Sequence, residues 1–147
     1  MCISILSGLL GIHFYEKLVL GIVLEKDAFV TIRKKLSRTQ KQLSELLGVS
    51  LKAIHSYEQG WRKIPLHIER QLWFLVYQTK KHTIKKQSPC WERKSCKLKE
   101  DCPAWEFQCG DMCWFVCGTK CECTKDIDVR DKMVICRKCI ILKTLLK

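Results

Sequence analysis

The sequence predicts an all-α fold: a compact helix-turn-helix bundle of four to five helices, followed by a small irregular cysteine-rich module stabilised by a metal or cluster. Three observations carry that reading. Apolar residues recur at three- and four-residue steps through residues 28–79, as the buried face of a helix requires. Gly48-Val49-Ser50 interrupts the pattern where two short helices would turn. Ten of the eleven cysteines follow residue 89, so the chain changes character there. A chain of 147 residues has room for two small domains of this kind.

Residues 1–26 are expected to form an apolar N-terminal segment. Ile3 to Phe14 and Leu18 to Leu24 are apolar, but Glu16 and Lys17 interrupt them before the roughly 20 residues a membrane span needs. No stable membrane insertion is expected. No Lys or Arg precedes the apolar run and no clear small-residue cleavage site follows it, unlike a secretory signal. The segment is expected to pack as a helix on its own domain or on a twin subunit, or else to be a poorly ordered leader or upstream extension.

Residues 27–79 are expected to be the helix-turn-helix domain. Asp27 is the candidate N-cap of a first helix whose Phe29, Ile32 and Leu36 share one face. A second helix starts at Thr39, whose hydroxyl can cap it while Gln42 completes a capping box. Leu43, Leu46 and Leu47 form its apolar face. Gly48 follows, where a left-handed conformation costs glycine little, and Ser50 can cap a third helix over Leu51 to Gln59. That helix buries Ile54 and Tyr57, and Gly60 stops it. After Pro65 a fourth helix runs over about residues 66–79, with Ile68, Leu72, Leu75 and Val76 inward. Trp73 and Phe74 widen its apolar surface beyond what a small domain must bury, which predicts a further contact.

Two short helices joined in this way expose the start of the second to a DNA major groove. Leu51, Lys52, His55 and Ser56 are therefore the candidates for reading bases: Lys52 can donate to guanine acceptors and Leu51 can touch a thymine methyl. Gln40, Arg62 and Lys63 are better placed for phosphates, which set position rather than sequence preference. A formal net charge of +12 suits a polyanionic partner, although RNA or an anionic membrane would suit it equally.

TQKQLSELLGVSLKAIHSYEQG, residues 39–60, resembles the helix-turn-helix of the phage repressor/Cro-like family of transcriptional regulators. The Thr-Gln opening, Gly48-Val49-Ser50, Ile54 and Glu58-x-Gly60 carry the likeness. It implies double-stranded DNA as partner and an internal ion pair between a first-helix arginine and the glutamate before the closing glycine; a homodimer is expected on functional grounds, because two half-sites multiply both affinity and discrimination. Arg33 and Glu58 stand at those positions. A buried charge needs its partner, so both are expected to be structural.

Residues 80–89, KKHTIKKQSP, read as a basic linker. The module beyond it, residues 90–142, has the spacing C-x5-C-x5-C-x6-C-x3-C-x3-C-x3-C-x-C-x12-C-x2-C, and residues 143–147 form a tail. The closing Cys136-x2-Cys139 is the sharpest element, since two thiolates so spaced can ligate one metal or cluster. Cys109, Cys113, Cys117 and Cys121 would line one helical face, but Pro, Gly and the short spacings argue against an all-helical module. An odd cysteine count leaves a thiol over in any fully paired monomeric scaffold. A disulfide framework, a metal or cluster site and incidental thiols all remain open on spacing alone.

Cys90-Trp91-Glu92, Cys96, Cys102-Pro103-Ala104, Cys113-Trp114, Gly118-Thr119-x-Cys121 and Cys136-x2-Cys139 resemble the small two-CW cysteine module attached to regulatory domains in anaerobic and sulfate-reducing bacteria. The resemblance ranks Cys90, Cys96, Cys102, Cys113, Cys121, Cys136 and Cys139 as candidate ligands and leaves Cys109, Cys117 and Cys123 as extras. Four thiolates with Trp91, Trp105 and Trp114 as shields would suit a 4Fe-4S iron-sulfur cluster. Zinc is the alternative, as a purely structural ion; thiols or disulfides without metal are the third.

The functional expectation is a cytoplasmic, sequence-specific, dimeric DNA-binding transcriptional regulator whose cysteine module binds an iron-sulfur cluster or metal and senses redox state or oxygen. The alternative keeps DNA binding and makes the module a constitutive zinc staple for dimerisation or partner binding. No enzyme is expected: no phosphate loop, serine-centred triad or carboxylate pair in motif spacing appears. Cys136-x2-Cys139 lacks a thioredoxin-like strand-helix context.

Overall fold

The computed structural model describes residues 24–82, 87–121, 124, 125 and 127–146. Every regular element among them is a helix: α1 (Lys26–Lys35), α2 (Gln40–Leu47), α3 (Leu51–Gln59), α4 (Leu66–Lys80), α5 (Cys90–Arg93), α6 (Pro103–Glu106), α7 (Val129–Lys138) and α8 (Ile140–Leu146). The described residues up to 82 form one compact unit, and those from 87 onward belong to a second. The expectations for residues 1–23 and for Cys123 fall outside the described residues.

In the first unit α2 and α1 both pack on α3, and α2 also meets α4. Phe29, Ile32, Leu43, Leu47, Ile54, Tyr57, Ile68, Leu72 and Val76 are buried, and the rings of Phe29 and Tyr57 meet edge to face with centroids 5.7 Å apart. Burying such side chains stabilises the bundle by roughly 1.5–3 kcal/mol each before chain entropy is subtracted. Thr39 closes the expected capping box: its Oγ1 accepts from the Gln42 N–H at 3.2 Å and its N–H donates to Gln42 Oε1 at 3.0 Å. Gly48 ends α2 at φ +64°, Ser50 Oγ accepts from the Ala53 N–H at 3.1 Å to start α3, and Gly60 ends α3 at φ +76°.

Four local expectations are corrected. The N-cap of α1 is Glu25, with no side-chain cap bond, and Asp27 lies inside the first turn. Leu46 is half exposed, at 50 %, because the short α2 buries a single stripe and Leu43 and Leu47 fill it. Leu36 and Leu75 are only partly buried. Trp73, expected to widen an outer apolar face, is itself buried, and its indole N–H donates to Glu69 Oε1 at 3.2 Å.

The second unit is built mostly of turns. The Cys109–Cys121 stretch is non-helical, so the four-residue cysteine period there does not mark a helix face. The turn holding Cys90 and Trp91 is pinned by the Cys90 N–H donating to the Gly110 carbonyl at 2.9 Å. Trp91 meets Trp105 edge to face at 4.9 Å, and Lys99 Nζ stands 4.7 Å above the Trp105 ring. Trp114, Met133, Ile141, Leu142 and Ala104 supply buried apolar bulk, and α7 packs on α8. Asp128 caps α7, its Oδ1 accepting from the Arg130 N–H at 2.7 Å.

Candidate nucleic-acid interface and thiol centre

Helix α3 has two chemically distinct faces. Ala53, Ile54 and Tyr57 point into the core, while Leu51, Lys52 and His55 are exposed and Ser56 is half-buried. The Ser56 hydroxyl donates to the Lys52 carbonyl at 2.8 Å, which engages its proton within the helix and leaves its oxygen able to accept. Trp61, Arg62 and Lys63 follow Gly60 on the surface, and the Arg62 N–H donates to the Ser56 carbonyl at 3.2 Å. That bond ties the basic loop to the end of α3. The expected base-reading and loop-phosphate residues thus share one continuous stretch.

Glu58 faces the other way. Arg33 Nε donates to its Oε1 at 2.5 Å and Arg33 Nη2 to its Oε2 at 3.2 Å. Arg33 Nη1 also reaches the Arg38 carbonyl at 3.1 Å. Gln40, expected on phosphate, has its side-chain N–H on Glu58 Oε2 at 2.7 Å. Sequence reasoning missed that bond because it weighed Gln40 by its place in the first turn alone. Burial pushes the Glu58 carboxyl up, but the hydrogen bonds from Arg33 and Gln40 and the positive charges of Arg33 and His55 outweigh it, leaving the group below its usual range.

In the second unit, Lys94 interacts electrostatically with five of the seven candidate cysteines. Lys94 Nζ donates to Cys121 Sγ at 3.3 Å; burial works against its charge, but Cys139 and Cys121 outweigh it and raise its affinity for its proton. Lys94 in turn favours the thiolates of Cys90 and Cys136. Cys90 and Cys113 share a hydrogen bond that makes Cys90 the more acidic of the pair and keeps Cys113 protonated. Burial pushes the Cys136 thiol up to about 11. Cys113 also feels Cys136 and Cys139, and Cys136 feels Cys139 and Cys121.

Cys96 and Cys102 are placed differently. Cys102 is buried, accepts from the Lys120 N–H at 3.5 Å, and is felt by Cys109. The Cys96 N–H donates to the Trp91 carbonyl at 2.9 Å, and its sulfur takes part in none of the interactions described above. Cys117 is exposed.

Two lysines escaped the sequence reading. Lys94 follows Cys90 by four residues and Lys132 precedes Cys136 by four, the spacing that puts two side chains on one helical face; that was the available signal. Lys132 is buried, and its Nζ donates to the Cys113 carbonyl at 3.1 Å and to the Val116 carbonyl. The Trp114 indole N–H is buried without a hydrogen-bond partner among the described residues.

Among the described residues no three His, Cys, Asp or Glu side chains stand together as a ready metal site. Thiol sulfur is by type the donor chemistry of a soft cation, but the described cysteines are not grouped around one position. Among the described residues no helix is long and apolar enough to cross a membrane.

Residues 31–66 match the family model described as Helix-turn-helix, which spans α2, the turn and α3. No curated protein and no solved structure matches the chain.

Proposed function

We propose that the protein is a sequence-specific DNA-binding transcriptional regulator, acting as a homodimer, whose cysteine unit holds an iron-sulfur cluster or a metal ion and changes DNA affinity with redox state or oxygen. One observation carries the DNA reading: α3 leaves Leu51, Lys52 and His55 exposed from its first turn onward, beside a tethered basic loop, while its inner face fixes the helix to the domain. A helix presented in this way fits the major groove, and polar side chains near its N-terminus reach base edges. Two such heads on one dimer would read two half-sites about one helical turn apart, roughly 34–36 Å.

The Lys94–Cys121 contact at 3.3 Å and the electrostatic interaction of Lys94 with other candidate cysteines support the second half. When bound, an iron-sulfur cluster would supply an air-sensitive redox centre, and zinc a static staple. The protein's own part is to hold thiolates, balance their charge with Lys94 and Lys132, and shield the site with Trp114. A change of state alters transcription only if the two states differ in DNA affinity.

The test is selection of bound sequences from a random duplex pool, followed by affinity measurements with Lys52→Ala. Enrichment of a two-fold-symmetric site, with a specific affinity that falls by about 1–3 kcal/mol in the variant while nonspecific affinity holds, supports the reading. Failure to enrich any sequence sinks it. Repeating the measurement after mild oxidation tests the sensing half, which an unchanged affinity would overturn.

A further inference from the structure

The surface beside α3 carries an aromatic side chain that the fold leaves in water. Trp73 and Trp114 are 1 % and 2 % exposed, whereas Trp61 is 78 % exposed. Single exposed apolar residues are common on proteins, so exposure alone assigns nothing. The setting of Trp61 is more specific. Gly60 precedes it at φ +76°, and Ile64, three residues on, is buried, so residues 61–63 form a short projecting loop with both ends fixed. The Arg62 N–H, bound to the Ser56 carbonyl at 3.2 Å, ties the middle of the loop to α3. Trp61 is thereby held outward, next to the exposed Arg62 and Lys63.

A third cation reaches this loop from another helix. A Cβ on Gly60 would lie 3.2 Å from Lys26 Cδ, so the aliphatic stem of Lys26, at the start of α1, runs across the bare glycine backbone. Its ammonium, two bonds beyond that carbon, stands close to the loop, and Lys26 is exposed. Gly60 therefore serves both the left-handed turn and this close approach. No Asp or Glu occurs between Gln59 and Ile68. Glu25 and Asp27 flank Lys26 in the chain, but a helix turns about 100° per residue and sends them to either side of it.

An aromatic ring among three cations matches the repeating pattern of a DNA backbone, in which apolar sugar faces alternate with phosphates. Tryptophan suits both parts: its ring is an apolar body and its indole N–H is a donor, so it can lie on a deoxyribose and donate to a neighbouring phosphate oxygen. The loop is continuous with the exposed face of α3 through the Ser56–Arg62 bond, which puts such a contact at the rim of the groove the helix would enter.

We propose that Trp61 and Lys26 complete, with Arg62 and Lys63, a clamp on one strand's sugar-phosphate backbone in duplex DNA, Trp61 on a sugar and Lys26 on a phosphate. This rests on the DNA-binding reading above and adds two residues to its interface. Neither reads a base; together they set how the domain is seated.

The experiment uses the full chain, titrated at stepped salt with the duplex selected from the random pool and with a duplex of unrelated sequence. Trp61→Ala is expected to weaken both by about tenfold or more, the order of a hydrogen bond to a charged group, with the salt slope unchanged because no cation is lost. Trp61→Phe, which keeps a ring and loses the N–H, should fall between. Lys26→Met keeps a stem over Gly60 and removes the charge, so both affinities should fall together and the slope of log affinity against log salt should shrink by about 1. Tryptophan emission of the wild type should change on adding duplex, and that change should largely disappear in Trp61→Phe. Helicity by circular dichroism, compared with wild type, separates lost contacts from misfolding.

Wild-type affinity in Trp61→Ala overturns the Trp61 contact, and an unaltered salt slope in Lys26→Met overturns the Lys26 contact; either result leaves the DNA reading standing. A Trp61→Ala loss confined to the selected site places the ring on a base and overturns the backbone assignment. Tighter binding of single-stranded than of duplex DNA, with Trp61 emission following the single strand, is the mark of base stacking and overturns the duplex clamp. Dissociation of a dimer by Trp61→Ala in sedimentation, with emission indifferent to DNA, gives the surface to a second copy of the chain and likewise overturns it. A wild-type chain that binds no duplex overturns the DNA reading and the clamp together.

Discussion

Arg33 and Glu58, 25 positions apart in the chain, meet through two hydrogen bonds of 2.5 and 3.2 Å with side chains 16 % and 8 % exposed. The pair joins α1 to α3, the helix that carries the candidate base-reading residues. Removing one partner strands the other in a poorly solvated place, so Glu58→Ala is expected to cost about 3 kcal/mol of stability, read by urea denaturation. The Arg33→Ala/Glu58→Ala double variant should lose less than the sum of the two singles; strict additivity would show that the pair is not coupled.

The same carboxylate gives the domain an acid limb. The folded-state pKa of Glu58 lies below the ordinary glutamate value, so its contribution is present above that value and disappears as pH falls through the lower folded-state one. Glu58→Gln is expected to flatten the decline of stability over that acidic window and to leave its slope near neutrality unaltered, as followed by thermal melts at stepped pH.

Gly48 isolates a purely backbone effect. A Cβ there meets no atom within 4 Å, yet φ is +64°, a region where side-chain-bearing residues pay roughly 1–2 kcal/mol. Gly48→Ala should therefore destabilise by about that amount, and Gly48→Asn by less. Equal losses in the two variants would mean that something other than backbone strain is responsible.

Arg62 and Lys63, on the loop tied to Ser56, are expected to hold phosphates. Arg62→Ala should weaken specific and nonspecific binding together and reduce the slope of log affinity against log salt by about 1. A loss confined to the specific site would place Arg62 on a base instead.

Gly110 is expected to be intolerant of any side chain. A Cβ there would lie 2.5 Å from Trp91 Cζ3 and 2.6 Å from Pro89 Cβ, and the Gly110 carbonyl anchors the Cys90 N–H. Gly110→Ala should force the Cys90–Trp91 turn away, at a cost of about 1–3 kcal/mol, and alter tryptophan fluorescence. The helicity of residues 26–80 should persist; its loss would show that the cysteine unit's integrity governs the first unit's folding.

Much of the first unit is legible in the sequence because its determinants are local. Thr39 with Gln42, Gly48, Ser50 and Gly60 each act within about four residues, and periodicity identifies Phe29, Ile32, Ile54 and Leu72 as core. The reading strained where burial depends on neighbours distant in sequence: Leu46 and Trp73 obey the same helical arithmetic as residues that exchange places with them. Gln40 was read by its position in a turn, whereas its amide is committed to a carboxylate 18 residues away. The thiol centre was legible as a composition but not as a grouping. Seven cysteines allow many sets of four, and the contact of Lys94 with Cys121, 27 positions away, is set by the folded turns rather than by spacing.

The candidate cysteines of the second unit span a long stretch, with Cys90 at one end and Cys139 at the other. During synthesis the first of them leaves the ribosome several seconds before the last, at roughly 5–20 residues per second, and by then residues 26–80 have already emerged. The helix-turn-helix unit can therefore mature on the nascent chain while the cysteine unit is still an open set of thiols. Oxidants and metal ions meet those sulfurs in that interval, so the order of translation itself becomes a determinant of which chemistry they acquire.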